Sequence, residues 1–251
     1  MTQLFNLFLI THVAAGAASL IFFWIPVAVK KGSKLHIRSG HWYARCMYLV
    51  AYSSLILSAF IMNDPIGLKH AGDNLTASQA FEIATERRGV ALFLFAIGVL
   101  VVSNLRHGLL TLDEKASRER TRSASHTSLN IGLGLLALIL AYTGYQQSSV
   151  LFYVFAALCS FTAFSNLRYA WRKTVDRGAR IQSHLASMIG AGIASHTAFF
   201  VFGASRFLGE ALSGNWQLVP WVAPGVIGAL IINRLSRRYV RKPTVRKTSN
   251  A

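Results

Sequence analysis

The sequence is short of acid. In 251 residues, 9 Asp and Glu stand against 26 Lys and Arg, and only 14% of positions are charged. No Asp or Glu falls in the core of any long apolar stretch. Proton-coupled transporters use buried carboxylate relays, and intramembrane zinc hydrolases need a carboxylate ligand or base beside their histidines, so both classes are disfavoured. Cysteine is limited to Cys46 and Cys159, each alone in an apolar stretch, which excludes a disulfide framework and a thiolate metal site. There is no HExxH, no glycine-rich phosphate loop and no convincing nucleophile with a base.

What is abundant is apolar sequence: 53% of residues are hydrophobic and the mean hydropathy is +0.42, too apolar for an ordinary soluble domain. Apolar segments near 4–29, 41–62, 89–110, 127–146, 149–170, 182–204 and 217–234 are long enough to cross about 30 Å of hydrocarbon. In lipid the backbone must satisfy its own hydrogen bonds, and no alternating strand pattern is present, so each segment is expected to be a helix. The expectation is an all-α, polytopic transmembrane bundle of about seven helices, one domain over 1–236, followed by a basic and disordered tail, 237–251. The opening MTQLFNLFLITHVAAGAAS lacks a basic n-region, the first positive charge being Lys30, and reads as an uncleaved first helix. Gln147 and Ser148 alone join the fourth and fifth segments in a tight hairpin.

The formal charge of +17 raises nucleic acid as a partner, but the cations fall between apolar stretches in the pattern of membrane loops, which argues against one. They follow the first, third, fifth and seventh segments, leaving only Lys69, Arg87, Arg88 and Arg206 on the opposite side. The positive-inside rule then puts the N-terminus outside and the C-terminus in the cytoplasm. The bilayer is the expected partner, with the tail against anionic headgroups at the cytoplasmic face. The outer loop, Asn63 to Arg88, reads as a solvated connector with a short amphipathic piece near 77–85.

VSNLRHG at 102–108 and FSNLRYA at 164–170 close the third and fifth segments, and the next helices open with His126 and His184. This points to a repeated helical hairpin, with shared interfacial constraint as the alternative. His41, His126 and His184 then form an inner tier, with His36 just below and His107 opposite. His12 and His196 form an outer tier about 12 Å deep, and His70 lies in the outer loop.

Histidine without carboxylate suits b-type haem, whose iron takes neutral imidazole and whose propionates pair with arginine; Arg45, Arg106 and Arg168 lie at suitable depth. Gly16, one turn from His12, leaves room for a flat macrocycle. His184 and His196 project about 120° apart, against a two-haem stack but compatible with one haem at either tier. The other readings are a different ligand or metal, or structure alone: interfacial histidines bonding headgroups, and His12, His196, Asn104, Asn130 and Asn166 bonding across helices. Ala186, Gly190, Ala194 and Ala198 line one face of the sixth segment for close packing. Pro220 and Pro224 are expected to kink the seventh, and Trp216 and Trp221 to anchor it.

The segment LHIRSGHWYARCMYL, 35–49, resembles a signature of domain-of-unknown-function family 2306, in which a His, a Ser or Thr with Gly, and a Tyr open a helix after a basic loop. His36, Ser39, Gly40 and Tyr43 match it. His12 followed by small residues to Gly16 is similar to the family's first helix, and His184 with Met188 to its late His and Met. The family normally has Trp before that Met, where this chain has Ser187. The resemblance implies a multi-pass protein of the bacterial inner membrane with no established activity.

Overall fold

The computed structural model describes residues 2–68, 73–112, 117–203 and 219–239. All regular structure within them is helical: α1 (Thr2–Ala28), α2 (Lys34–Asn63), α3 (Ala77–Leu110), the single turn α4 (Ser117–Thr121), α5 (Ala124–Gln146), α6 (Val150–Trp171), α7 (Arg177–Ala198) running on into a π-helical turn (Phe199–Gly203), and α8 (Val219–Tyr239). Seven of these are long and apolar enough to cross a membrane, the arrangement of a multi-pass membrane protein. Lys69, His70, Gly72, Lys115, Arg206, Trp216 and the tail beyond Tyr239 lie outside the described residues.

Four helices, α2, α3, α5 and α7, begin earlier than the apolar runs suggest, because polar caps start them. Ser33 accepts from the His36 N–H, Ser123 from that of His126, and Asp176 from that of Ala179 at 2.6 Å. Thr76 and Gln79 form a reciprocal capping box, so the amphipathic piece expected in the outer loop is the first turns of α3 itself. Cations close the other ends, where free carbonyls gather partial negative charge. Lys31 Nζ donates to the Pro26 and Val27 carbonyls at 2.7 and 2.6 Å, Arg88 Nε to Met62 at 3.2 Å, and Arg122 Nε to Ala170 at 2.7 Å. Arg118 reaches the carbonyls of Arg172 and Lys173. The hairpin between α5 and α6 closes as expected, with Ser148 at φ 50° and the Ser149 N–H on the Gly144 carbonyl. Pro220 occupies the first turn of α8, where its missing N–H costs nothing, whereas Pro224 lies inside the helix.

α3 is the central helix, packed on α2, α5, α6 and α7; α1 pairs with α2, α5 with α6, and α8 with α7. One buried cluster joins α3, α5 and α6 around Phe93, Leu133 and Cys159. Another joins α1, α2, α3 and α7 around Phe23, Met47 and Leu105. The outward faces are apolar, with Ile10, Ile21, Leu138 and Phe161 each about two thirds exposed or more, as lipid contact requires. The small-residue face of α7 is not its tightest contact: Gly192 is, pressed against Phe23 of α1.

Candidate functional site

The inner histidines separate into two groups, a buried polar network and the wall of a cavity.

The network joins four helices. Ser103 Oγ and Asn166 Nδ2 both donate to Asn130 Oδ1, at 2.8 and 2.9 Å, and Asn166 Nδ2 also lies 3.1 Å from Ser103 Oγ. Asn130 Nδ2 donates to the His126 carbonyl at 2.8 Å and stands 3.3 Å from His126 Nε2. An amide nitrogen can only donate, so His126 Nε2 accepts and its proton is on Nδ1. His107 Nδ1, 3.2 Å from His126 Nε2, must therefore donate, which leaves His107 Nε2 to accept from Ser183 Oγ at 2.9 Å. Both rings are neutral, and the hydroxyl and two imidazoles form a directed chain from α7 through α3 to α5. Tyr169 packs edge-on to His107, with ring centres 5.0 Å apart. His126 Nδ1 and the Tyr169 hydroxyl are buried without a partner among the described residues. Both side-chain contacts of the network at the His126 ring, from His107 and Asn130, converge on Nε2 and tie α3 to α5.

The cavity, about 750 Å³, opens between the C-terminal ends of α1, α3 and α8 and the N-terminal ends of α2 and α7. His36, His41, Tyr43, Arg177 and His184 line it with Lys31; most of the remaining wall is aliphatic or aromatic, and among the described residues no Asp or Glu takes part. Backbone carbonyls fix two of its histidines: His36 Nδ1 donates to Pro26 at 3.1 Å and His184 Nδ1 to Gly108 at 2.8 Å. Among the described residues each ring keeps Nε2 as an uncommitted acceptor, the tautomer that a ligand-binding imidazole uses. Tyr43 is buried, its hydroxyl 3.3 Å from the Met188 carbonyl. A cavity of this size with a few convergent polar groups has the form of a small-molecule site.

The other expected residues lie elsewhere. His12 faces α2, with Nδ1 3.0 Å from both the Val50 carbonyl and Ser53 Oγ. Gly16 faces Val50, so a neighbouring helix takes the room a macrocycle would need. His196 bonds the Gly192 carbonyl at 2.8 Å and packs on the Phe23 and Trp24 rings. Phe23 is about 16 Å along α1 from His12 at the helical rise, so this pair does not converge on one ligand. Arg45 lies over the Trp42 ring, Arg106 Nη2 bonds Ser125 Oγ at 2.7 Å, and Arg168 is exposed; none of the three lines the cavity. Lys31 and Arg177 occupy the cationic positions instead.

The two SNLR segments have different surroundings. Asn166 is inside the network, while Asn104 is buried beside Gly190 without a side-chain hydrogen bond among the described residues. Ser183, Tyr169 and Lys31 were not singled out by the sequence. A serine before a helix-opening histidine is common interfacial chemistry, and the partners become visible only when α3, α6 and α7 are side by side. Among the described residues no group of three or more His, Cys, Asp or Glu is arranged to hold a metal. In comparisons with known proteins, no family model, no curated protein and no solved structure matches the chain.

Proposed function

We propose that this chain is a multi-pass protein of a bacterial inner membrane, N-terminus outside and C-terminus cytoplasmic, that binds a small amphipathic ligand in the histidine-lined cavity at its cytoplasmic face. The observation that carries this reading is convergence. His36, Gly40 and Tyr43 from one stretch and His184 and Met188 from another, five of the residues on which the resemblance to family 2306 rests, line the same cavity, while Ser39, His12 and Gly16 do not. Packing alone does not call for two imidazoles with their tautomers fixed and one nitrogen each left uncommitted.

A second reading, b-type haem, is favoured by those same two nitrogens. Neutral imidazole held through Nδ1–H on a backbone carbonyl is how proteins present Nε2 to iron, and Lys31 and Arg177 supply positive charge for propionates. Protein purified in mild detergent with adequate haem supply separates the readings. Haem gives a Soret band that sharpens on reduction and is lost in His36→Ala and His184→Ala. A colourless preparation in which extraction and mass spectrometry recover a bound amphiphile supports the first reading, and a colourless, empty one overturns both. Orientation is tested separately: a reporter enzyme fused after Lys247 is expected to be cytoplasmic and one inserted between Asp64 and Asp73 external. Both on one side would overturn the topology.

A further inference from the structure

A second cavity, about 650 Å³, adjoins the first and differs from it in character. Lys30, Lys31, Arg237 and Arg238 line it together with Ala28, Val29 and Tyr239; Lys31 and Tyr239 line both cavities. Four cations from the end of α1 and the last turn of α8 thus converge, and among the described residues no acidic side chain lines either wall. Asp176, next to the cavity-lining Arg177, is committed to the first turn of α7. Burial lowers the pKa of the Lys31 ammonium from its ordinary value, and the Arg238 charge adds to the shift. Like charges gathered at one place without a counter-ion are unfavourable, and an anion between them relieves the repulsion. The chain's own continuation is poorly suited to that place, because the residues after Tyr239 include Arg241, Lys242, Arg246 and Lys247.

We infer that the paired cavities bind a phosphate-bearing amphiphile, its phosphate among Lys30, Lys31, Arg237 and Arg238 and its apolar body in the histidine-lined cavity. The inference rests on the ligand-binding reading above and narrows its ligand to an anionic phosphate ester. Phosphate accepts from several guanidinium and ammonium donors at once, and both arginines are exposed at the membrane surface where headgroups lie. A long apolar wall immediately beside a cationic cup fits one amphiphile better than two unrelated ligands.

The test uses the full-length protein in nanodiscs of phosphatidylcholine alone or with phosphatidylglycerol, and in phosphatidylcholine with added inorganic phosphate, read by melting temperature and by native mass spectrometry of retained lipid. Phosphatidylglycerol is expected to raise the melting temperature and to be retained selectively, and Arg237→Gln/Arg238→Gln to lose both effects while still folding, since these side chains are exposed. Ile181→Trp, which fills the histidine-lined cavity, is expected to lose retention as well. An equal rise with inorganic phosphate would identify a free anion site and overturn the lipid assignment. Retention lost in Ile181→Trp but intact in the arginine variant would overturn the phosphate assignment and leave the histidine cavity standing. Retention lost only in the arginine variant would overturn the shared ligand and count against the histidine cavity as its binding site.

Discussion

The rings of His107 and His126 have centres 5.3 Å apart and planes 17° from parallel, joined edge to edge by a 3.2 Å N–H···N bond between α3 and α5. Since His126 Nε2 must accept, the pair has a direction, and each ring depends on the other. Replacing either leaves a buried polar partner unmatched, at a cost of about 1–3 kcal/mol for each orphaned group. His107→Leu and His126→Leu are each expected to lower stability by that amount in detergent melts. The double variant should lose clearly less than the sum, because it removes donor and acceptor together. Additive losses would show that the rings do not act as a pair.

Asn166→Leu removes two hydrogen bonds to the α3–α5 network, while Asn104→Leu removes none among the described residues. Interhelical hydrogen bonds in bilayers are worth about 0.6 kcal/mol on average and up to about 1.7. Asn166→Leu is therefore expected to cost about 1–2 kcal/mol and Asn104→Leu much less, although both occupy the same place in an SNLR segment. Equal losses, measured under the same conditions, would contradict this geometry and favour equivalent roles for the two asparagines.

The spanning helices were legible because lipid imposes one rule on every residue it touches, and hydropathy reads that rule directly. Their starts were not, since Ser33, Thr76, Ser123 and Asp176 act beyond the apolar core; of these, Thr76 with Gln79 carried a capping-box signal in the sequence itself. Depth along a helix was also legible, so His36, His41, His107, His126 and His184 fall at one end of the bundle. Direction around the helix depends on the neighbour. His12 turns to α2 while His196 turns to Phe23 and Trp24 of α1, and no periodicity within one helix distinguishes those outcomes. For the same reason the cavity was invisible: its walls come from five helices, and Lys31 and Tyr239 meet only when α1 and α8 end side by side.

That dependence on neighbours is sharpest at Gly192. A Cβ added there would stand 2.1 Å from Phe23 Cε2 and 2.6 Å from its Cδ2, well inside contact distance. Phe23 has little freedom to yield, being 6% exposed and packed against Trp24, Tyr43 and His196 at ring separations of 5.1, 5.6 and 5.0 Å. Gly192→Ala therefore forces α7 away from α1, although alanine is the better helix former by about 1 kcal/mol. Overpacking of this kind typically costs about 1–3 kcal/mol, so a net loss of stability is expected despite the gain in propensity. Phe23 also lines the histidine cavity, and moving α7 moves His184 with it, so ligand retention should fall along with the melting temperature. Shortening the opposing ring in Gly192→Ala/Phe23→Leu makes room for the methyl group and is expected to recover most of the lost stability relative to Phe23→Leu alone. If Gly192→Ala instead melts at or above the parent temperature, the close approach of α1 and α7 at this point is wrong, and the cavity wall built on it must be redrawn.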